Sequence, residues 1–121
     1  MQLNLDELYV SITGTEHYYG KKQLKIGSNV KLIKEPENDW DDYAIVVRKP
    51  YVGTLGYVAN KEYTTAEGCV MAKDIYQLLP DECCATIKFR TQQKIIAVVH
   101  PKKTLVAKYD ESLVDINPNN V

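Results

Sequence analysis

The strongest constraint on how this chain folds is that its β-forming runs are short, numerous and each cut off by a turn former. Leu8–Thr13 carries Tyr9, Val10, Ile12 and Thr13 and stops at Gly14, and Asn29–Lys34 alternates Val30 and Leu32 with polar neighbours before Glu35-Pro36. Tyr43–Val47 is apolar and β-branched and closes at Lys49-Pro50. Val52–Val58 reads VGTLGYV, and its paired glycines mark a bulge or a close approach of two backbones. Ala85–Arg90 and Ile95–Val99, joined by Thr91–Lys94, form a hairpin pattern. Strands this short do not stand alone, and at this spacing they predict a mainly β fold, a small closed or nearly closed barrel.

One segment departs from the period of two. Between Lys61 and Leu79 the apolar positions Cys69, Ala72, Ile75, Tyr76 and Leu79 recur at helical spacing, and Pro80 ends them. Asn60 is placed to cap a first short helix over Lys61–Ala66, with Gly68 separating it from a second. The expectation is a helical insertion after the fourth strand, plugging one end of the barrel. The stretch Asp110–Val121, acidic and then rich in Asn and Pro, is expected to be a disordered tail in which Leu113, Val114 and Ile116 dock locally.

A chain of 121 residues, 45% hydrophobic and 26% charged, fits one ordinary domain with a core large enough to need no metal or disulfide staple. No apolar run reaches the ~20 residues of a membrane helix, and Met1–Asp6 lacks a signal-peptide pattern, so a cytoplasmic location is expected. Cys69, Cys83 and Cys84 form no disulfide framework or zinc spacing. Reduced thiols packed as small apolar groups are expected, with a vicinal Cys83–Cys84 redox or soft-metal site as the alternative.

The formal charge of −1 excludes a uniformly basic nucleic-acid binder, yet it hides strong segregation. Residues 21–34 hold Lys21, Lys22, Lys25, Lys31 and Lys34 without an acid, and residues 35–42 hold Glu35, Glu37, Asp39, Asp41 and Asp42 without a base. Residues 86–108 hold Lys88, Arg90, Lys94, Lys102, Lys103 and Lys108, again without an acid. Such blocks are commonly solvated faces. On adjacent strands, however, the two basic blocks would make a stripe that phosphates can follow.

Two loops concentrate the remaining chemistry. Gly14-Thr-Glu-His-Tyr-Tyr-Gly20 presents His17, Tyr18 and Tyr19 after a strand, and Glu35–Ile45 sets the only tryptophan, Trp40, among carboxylates just before one. Loops run over the surface, so aromatics there are available for stacking on nucleobases, worth ~1–3 kcal/mol each, while Lys21, Lys22 and Lys34 attract phosphate. A carboxylate among them repels the backbone, but it can accept a hydrogen bond from a sugar hydroxyl at a strand end. Structural roles stand beside these: Trp40 packing over the barrel mouth, Asp41 capping a turn or bonding near Asn38, Tyr57 in the core, and His17 as an exposed polar residue.

In the order YVSITGTEHYYG, GSNVKLIKEPENDWDDYAIVV and VGTLGYVANKEY the chain resembles the HIRAN domain family. Glu35-Pro36, Asn38, Asp41, Ala44, Ile45 and Val47 fit its middle motif, Gly56-Tyr57-Val58 fits the next strand, and the likeness runs over about residues 8–100. The resemblance implies an OB-like β-barrel of about six strands over residues 1–100, followed by a partly disordered extension over 101–121. It also implies a non-catalytic module that needs no cofactor or metal and binds single-stranded DNA at a 3′-hydroxyl end in DNA repair or processing. HIRAN domains occur alone in bacteria and phages and also attached to helicase-like ATPases, so a helicase or nuclease partner is implied as well. By motif position Asp41 would meet the 3′-hydroxyl, beside Trp40, with His17 and Tyr18 in the end-binding loop, Tyr57 on the strand of the third motif and Phe89 on a later one. Lys21 and Lys22 complete the expected DNA-binding set. One departure is Glu16, a carboxylate where DNA-binding members can carry a base. It motivates the alternative of a protein-interaction or regulatory domain that kept the fold and lost DNA binding. A third reading, a phosphodiesterase using Asp39, Asp41 and Asp42 on a divalent metal, lacks accompanying His ligands or a phosphate-cradling glycine loop.

Overall fold

A computed structural model describes residues 8–18, 21–105 and 113–116. Six strands carry the fold: β1 (Tyr9–Thr13), β2 (Asn29–Lys34), β3 (Ile45–Lys49), β4 (Gly53–Val58), β5 (Glu82–Arg90) and β6 (Ile95–His100). They close into an antiparallel barrel in the order β1-β4-β3-β2-β5-β6, and β6 pairs back onto β1 from Tyr9↔Val98 to Ser11↔Ile96. Closure solves the edge problem that six short strands would otherwise present. The alternating pattern sends Val10, Val30, Leu32, Ile45, Val47, Leu55, Cys83, Ala85, Ile87, Ala97 and Val99 into one core. Leu24, just before β2, fills the barrel at one end.

All six expected runs form strands, with bounds moved by a few residues. The fifth strand begins three residues early, at Glu82, and the run expected at Tyr43–Val47 moves as a whole by two residues to give β3 at Ile45–Lys49. The reason is local: the amides of Tyr43 and Ala44 donate to the Asp41 side chain and carbonyl, at 2.8 and 3.2 Å, so pairing begins only after that turn. Thr91–Lys94 makes the expected hairpin, closed by Thr91 N–H to the Lys94 carbonyl at 2.8 Å.

The segment after β4 is less helical than its apolar spacing predicts. It contains one 3-10 turn at Glu62–Thr64 and a single α-helical turn, α1 (Ala72–Ile75). Its backbone groups are satisfied by the barrel instead of by a helix: Ala66 N–H donates to the buried Ser11 hydroxyl at 2.8 Å and Val70 N–H to the Tyr9 carbonyl at 2.9 Å. Ala72, Ile75 and Leu79 still reach the core, between the end of β4 and the start of β5. Asn60 does not cap Lys61–Ala66; its Oδ1 accepts from Lys73 N–H at 2.7 Å and so caps α1. Beyond the barrel, β7 (Lys103–Leu105) and β8 (Leu113–Asp115) form a two-stranded sheet packed on β5. Most of the Asp110–Val121 tail falls outside the described residues, as does Lys108 of the second basic block.

Adjacent residues on a strand face opposite ways, and this separates the vicinal thiols. Cys83 points into the core and Cys84 is buried on the outer face near Lys103. Burial pushes the Cys83 thiol up to about 12 and that of Cys84 to about 11, so neither is a thiolate near neutrality. The geometry is that of packed apolar thiols and does not suit a vicinal redox or metal pair.

Of the two glycines on the fourth strand, Gly56 is the one that permits a close approach. A Cβ there would lie 2.6 Å from the Thr13 carbonyl oxygen and 3.2 Å from the Ile12 and Thr15 methyl groups. Substitution Gly56→Ala is therefore expected to lower stability by about 1–3 kcal/mol, through displacement of the β1–β4 seam. Urea unfolding of the two proteins measures this directly.

Candidate functional site

The loop between β2 and β3 is built around Asn38. Its Oδ1 accepts from Trp40 N–H at 2.8 Å and Asp41 N–H at 3.0 Å, while its amide donates to Glu35 Oε1 at 3.1 Å. This side-chain-to-backbone turn braces the loop at Trp40 and Asp41, while Tyr43, edge-on to Tyr76 at 5.6 Å, and buried Ala44 anchor its far end. Trp40 consequently stands 93% exposed instead of packing over the barrel mouth. A large apolar ring presented by a braced turn is a stacking surface open to a ligand.

Asp41 takes the structural role expected of it and keeps acceptor capacity beyond it. Its Oδ1 accepts from Tyr43 N–H at 2.8 Å, an Asx turn, and both its oxygens face the Asn60 amide at 3.2 and 2.9 Å. An ionised carboxylate offers about four acceptor positions. Among the described residues Oδ1 has two donors and Oδ2 one, which leaves an acceptor position on Oδ2 for a hydroxyl donor.

Around this carboxylate lies a pocket of about 470 Å³, with Asp41 and Asn60 flanked by Tyr18, Trp40, Tyr57 and Tyr63, and with Lys61 as its cation. Tyr18 and Tyr57 are in tilted ring contact at 6.3 Å. Tyr57 is not a core residue: its hydroxyl donates to Glu35 Oε1 at 2.7 Å, tying β4 to the start of the loop. Partial burial, reinforced by the bond to the Glu35 carboxylate, raises the Tyr57 phenol above its ordinary value of 10, so it stays a donor well into the alkaline range. Lys61 lies over the Tyr63 ring, 5.9 Å from its centre, and Lys94 Nζ donates to the Tyr63 carbonyl. On its other side Trp40 borders a second pocket, whose wall is Glu35, Glu37 and Asp39.

Of the residues singled out in the sequence, Tyr18, Trp40, Asp41 and Tyr57 thus come together. His17 does not line this pocket: it is exposed and pairs with Glu16 at 3.4 Å. Glu16, paired with His17, is likewise not among the residues lining this pocket. Phe89 is also elsewhere. A register shift between Ile87 and Phe89 turns its ring outward, where it meets Tyr9 at 6.4 Å. Lys22 lines a different, basic pocket. Lys21 opens a 3-10 turn, and its side chain, like Tyr19, lies outside what the structure describes.

Sequence reasoning missed Asn60, Lys61 and Tyr63 as pocket residues, because their segment reads as helix. The polar-aromatic run Asn60-Lys-Glu-Tyr63, following directly on a strand, was the available signal. Among the described residues no three His, Cys, Asp or Glu side chains are grouped to hold a metal ion, and Asp41 accepts from the Asn60 amide.

Comparison with known proteins bears on the site at the level of the family. The family model of the HIRAN domain matches residues 5–100. No curated protein and no solved structure matches the chain.

The Tyr57–Glu35 bond makes a pH-dependent prediction. Below pH 10 the phenol is protonated in both folded and unfolded chains, and its contribution to stability is complete. Above pH 10 the unfolded chain releases the proton first, so the contribution falls as pH rises toward the higher folded value. Tyr57→Phe should lower stability by ~1 kcal/mol at pH 7 and should lose less than the parent between pH 9 and 12. Thermal midpoints of both proteins across that range provide the comparison.

Proposed function

The chain belongs to the HIRAN domain family, whose members are nucleic-acid-binding modules, and from that premise we propose that it binds single-stranded DNA at a free 3′-hydroxyl end. The observation that carries the reading is the open acceptor position on Asp41 Oδ2, inside a pocket walled by aromatic rings. A terminal sugar hydroxyl donates to that oxygen, Trp40 and the tyrosines stack on the last bases, and Lys61 attracts a phosphate.

The acidic wall beyond Trp40 gives the site its preference for an end. A strand continuing past Trp40 would carry phosphates toward Glu35, Glu37 and Asp39, at ~1 kcal/mol of repulsion per close pair even in bulk water. A strand that terminates at Asp41 avoids this. Binding and orientation are the whole of the proposed activity, with no bond made or broken. A repair or processing context, with a helicase or nuclease acting on the presented end, follows as the setting in which such a module is useful.

Fluorescence anisotropy with short labelled oligonucleotides tests the reading. A 3′-hydroxyl strand should bind at least about tenfold more tightly than the same strand with a 3′-phosphate, reflecting one lost charge-assisted hydrogen bond plus repulsion. Equal binding of both ends removes the role given to Asp41, and no binding at low salt removes the function altogether. Trp40→Ala, at a position that contributes no core contact, should weaken binding by ~1–3 kcal/mol with an unchanged unfolding midpoint.

A further inference from the structure

The barrel end opposite the aromatic pocket carries a second concentration of charge. Loop 35–44 leaves β2 and enters β3 at one end, whereas Ser28 before β2, Lys49 closing β3 and Arg90 closing β5 lie at the other. There a pocket of about 580 Å³ is lined by Lys22, Gln23, Lys25, Ser28, Lys49 and Arg90, with no carboxylate among the described lining residues. Four cations from three separate chain segments surround one concavity. The arrangement is braced: Arg90 Nη1 donates to the Leu24 carbonyl at 3.2 Å, and Leu24 is itself buried in the core. Ser28 Oγ bonds the Lys25 carbonyl at 2.6 Å, shaping the loop. Adjacent pairing of β2 and β5 is what brings the two basic sequence blocks together here.

A second, independent observation lies next to it. Tyr51 has a φ of 65°, the left-handed region that a bulky side chain seldom adopts, and its side chain is 89% exposed. It borders a pocket with Arg48 and Lys49, and Lys49 also lines the basic pocket. An exposed aromatic ring kept in a conformation that favours glycine, beside a cluster of cations, is the composition of a single-strand contact.

We propose that this end of the barrel is a second nucleic-acid contact, in which Lys22, Lys25, Lys49 and Arg90 hold phosphates of a single strand while Tyr51 stacks on a base. The identity of the strand rests on the end-binding reading: it is the upstream part of the molecule whose 3′ end sits at Asp41. Four residue steps of β3 separate the two ends, roughly 13 Å, a span that several nucleotides bridge. Opposite signs then divide the labour, since the basic end supplies sequence-independent attraction and the acidic wall stops the strand.

The test compares a dinucleotide with a free 3′-hydroxyl against an oligonucleotide of about 12 nucleotides, across a salt series. Lys25→Gln combined with Arg90→Gln should leave dinucleotide affinity unchanged. The same variant should weaken the longer strand at least tenfold at low salt and flatten the log–log salt slope by about 1.4, because two phosphates are no longer neutralised. Lys25→Gln alone, which keeps the Arg90 brace, should show about half of that change in slope. Tyr51→Gly should weaken the longer strand about fivefold or more without lowering the thermal midpoint, a combination that a structural role for the ring would not give. Unchanged affinity and slope for the longer strand overturn the proposal, as does tighter binding of inorganic tripolyphosphate than of the strand. If the longer strand ignores the chemistry of its 3′ end but remains sensitive to Lys25 and Arg90, the second contact stands and the end-binding reading fails.

Discussion

The arrangement of this molecule's surface depends on one side chain amide. Asn60 sits directly after β4, where Ala59 bonds both Ser11 on β1 and Ala72 at the start of α1. From that fixed point its Nδ2 reaches Asp41 and its Oδ1 reaches Lys73 N–H. One planar group therefore locks the β2–β3 loop to the segment that follows β4. The Asn38 turn and the Tyr43–Tyr76 contact shape the acidic loop, and the Asn60 bond fixes its carboxylate against the neighbouring segment. The same bond orients that carboxylate so that one oxygen keeps an open acceptor position.

Two kinds of interaction position the rest of the pocket around this lock. Strand alternation between buried Gly56 and Val58 turns Tyr57 outward, where Glu35 accepts from its hydroxyl, and the closeness of β4 to β1 at Gly56 sets Tyr18 against Tyr57. Trp40 is displayed by backbone bonds to Asn38 rather than by packing. Polar geometry shapes the pocket, and the apolar core supplies the stiff platform beneath it. The division matches the charge pattern, with acids gathered at the β2–β3 loop and cations at the opposite end of the same strands.

The barrel was legible because its strands are short β-rich runs, alternating as in β2 or continuously apolar as in β3, several of them cut off by residues such as Pro36, Pro50 or Gly14. The pairing of β2 with β5, by contrast, is a long-range matter of closure that no local signal carries. The post-β4 segment misled because apolar spacing at Ala72, Ile75 and Leu79 does mark buried positions, but single turns and bonds to β1 deliver them to the core without a continuous helix. Asp41 and Trp40 were readable as residues of a surface turn, since local turn chemistry fixes both. Phe89 was not, because a bulge at Ile87–Phe89 reverses the side to which it points, and a one-residue slip is invisible in composition. Asn60 looked like a helix cap and is one, for a different helix, with a second hydrogen bond that only the tertiary fold reveals.

Whether a strand end meets Asp41 beside Trp40 can be read residue by residue from nitrogen-15 NMR during titration with a dinucleotide bearing a free 3′-hydroxyl. The side-chain amide of Asn60, bonded to the same carboxylate, and the indole N–H of Trp40 report from the two sides of the pocket. Both signals should shift together, saturating at one concentration. Saturable binding that leaves both signals in place would contradict end binding at this carboxylate.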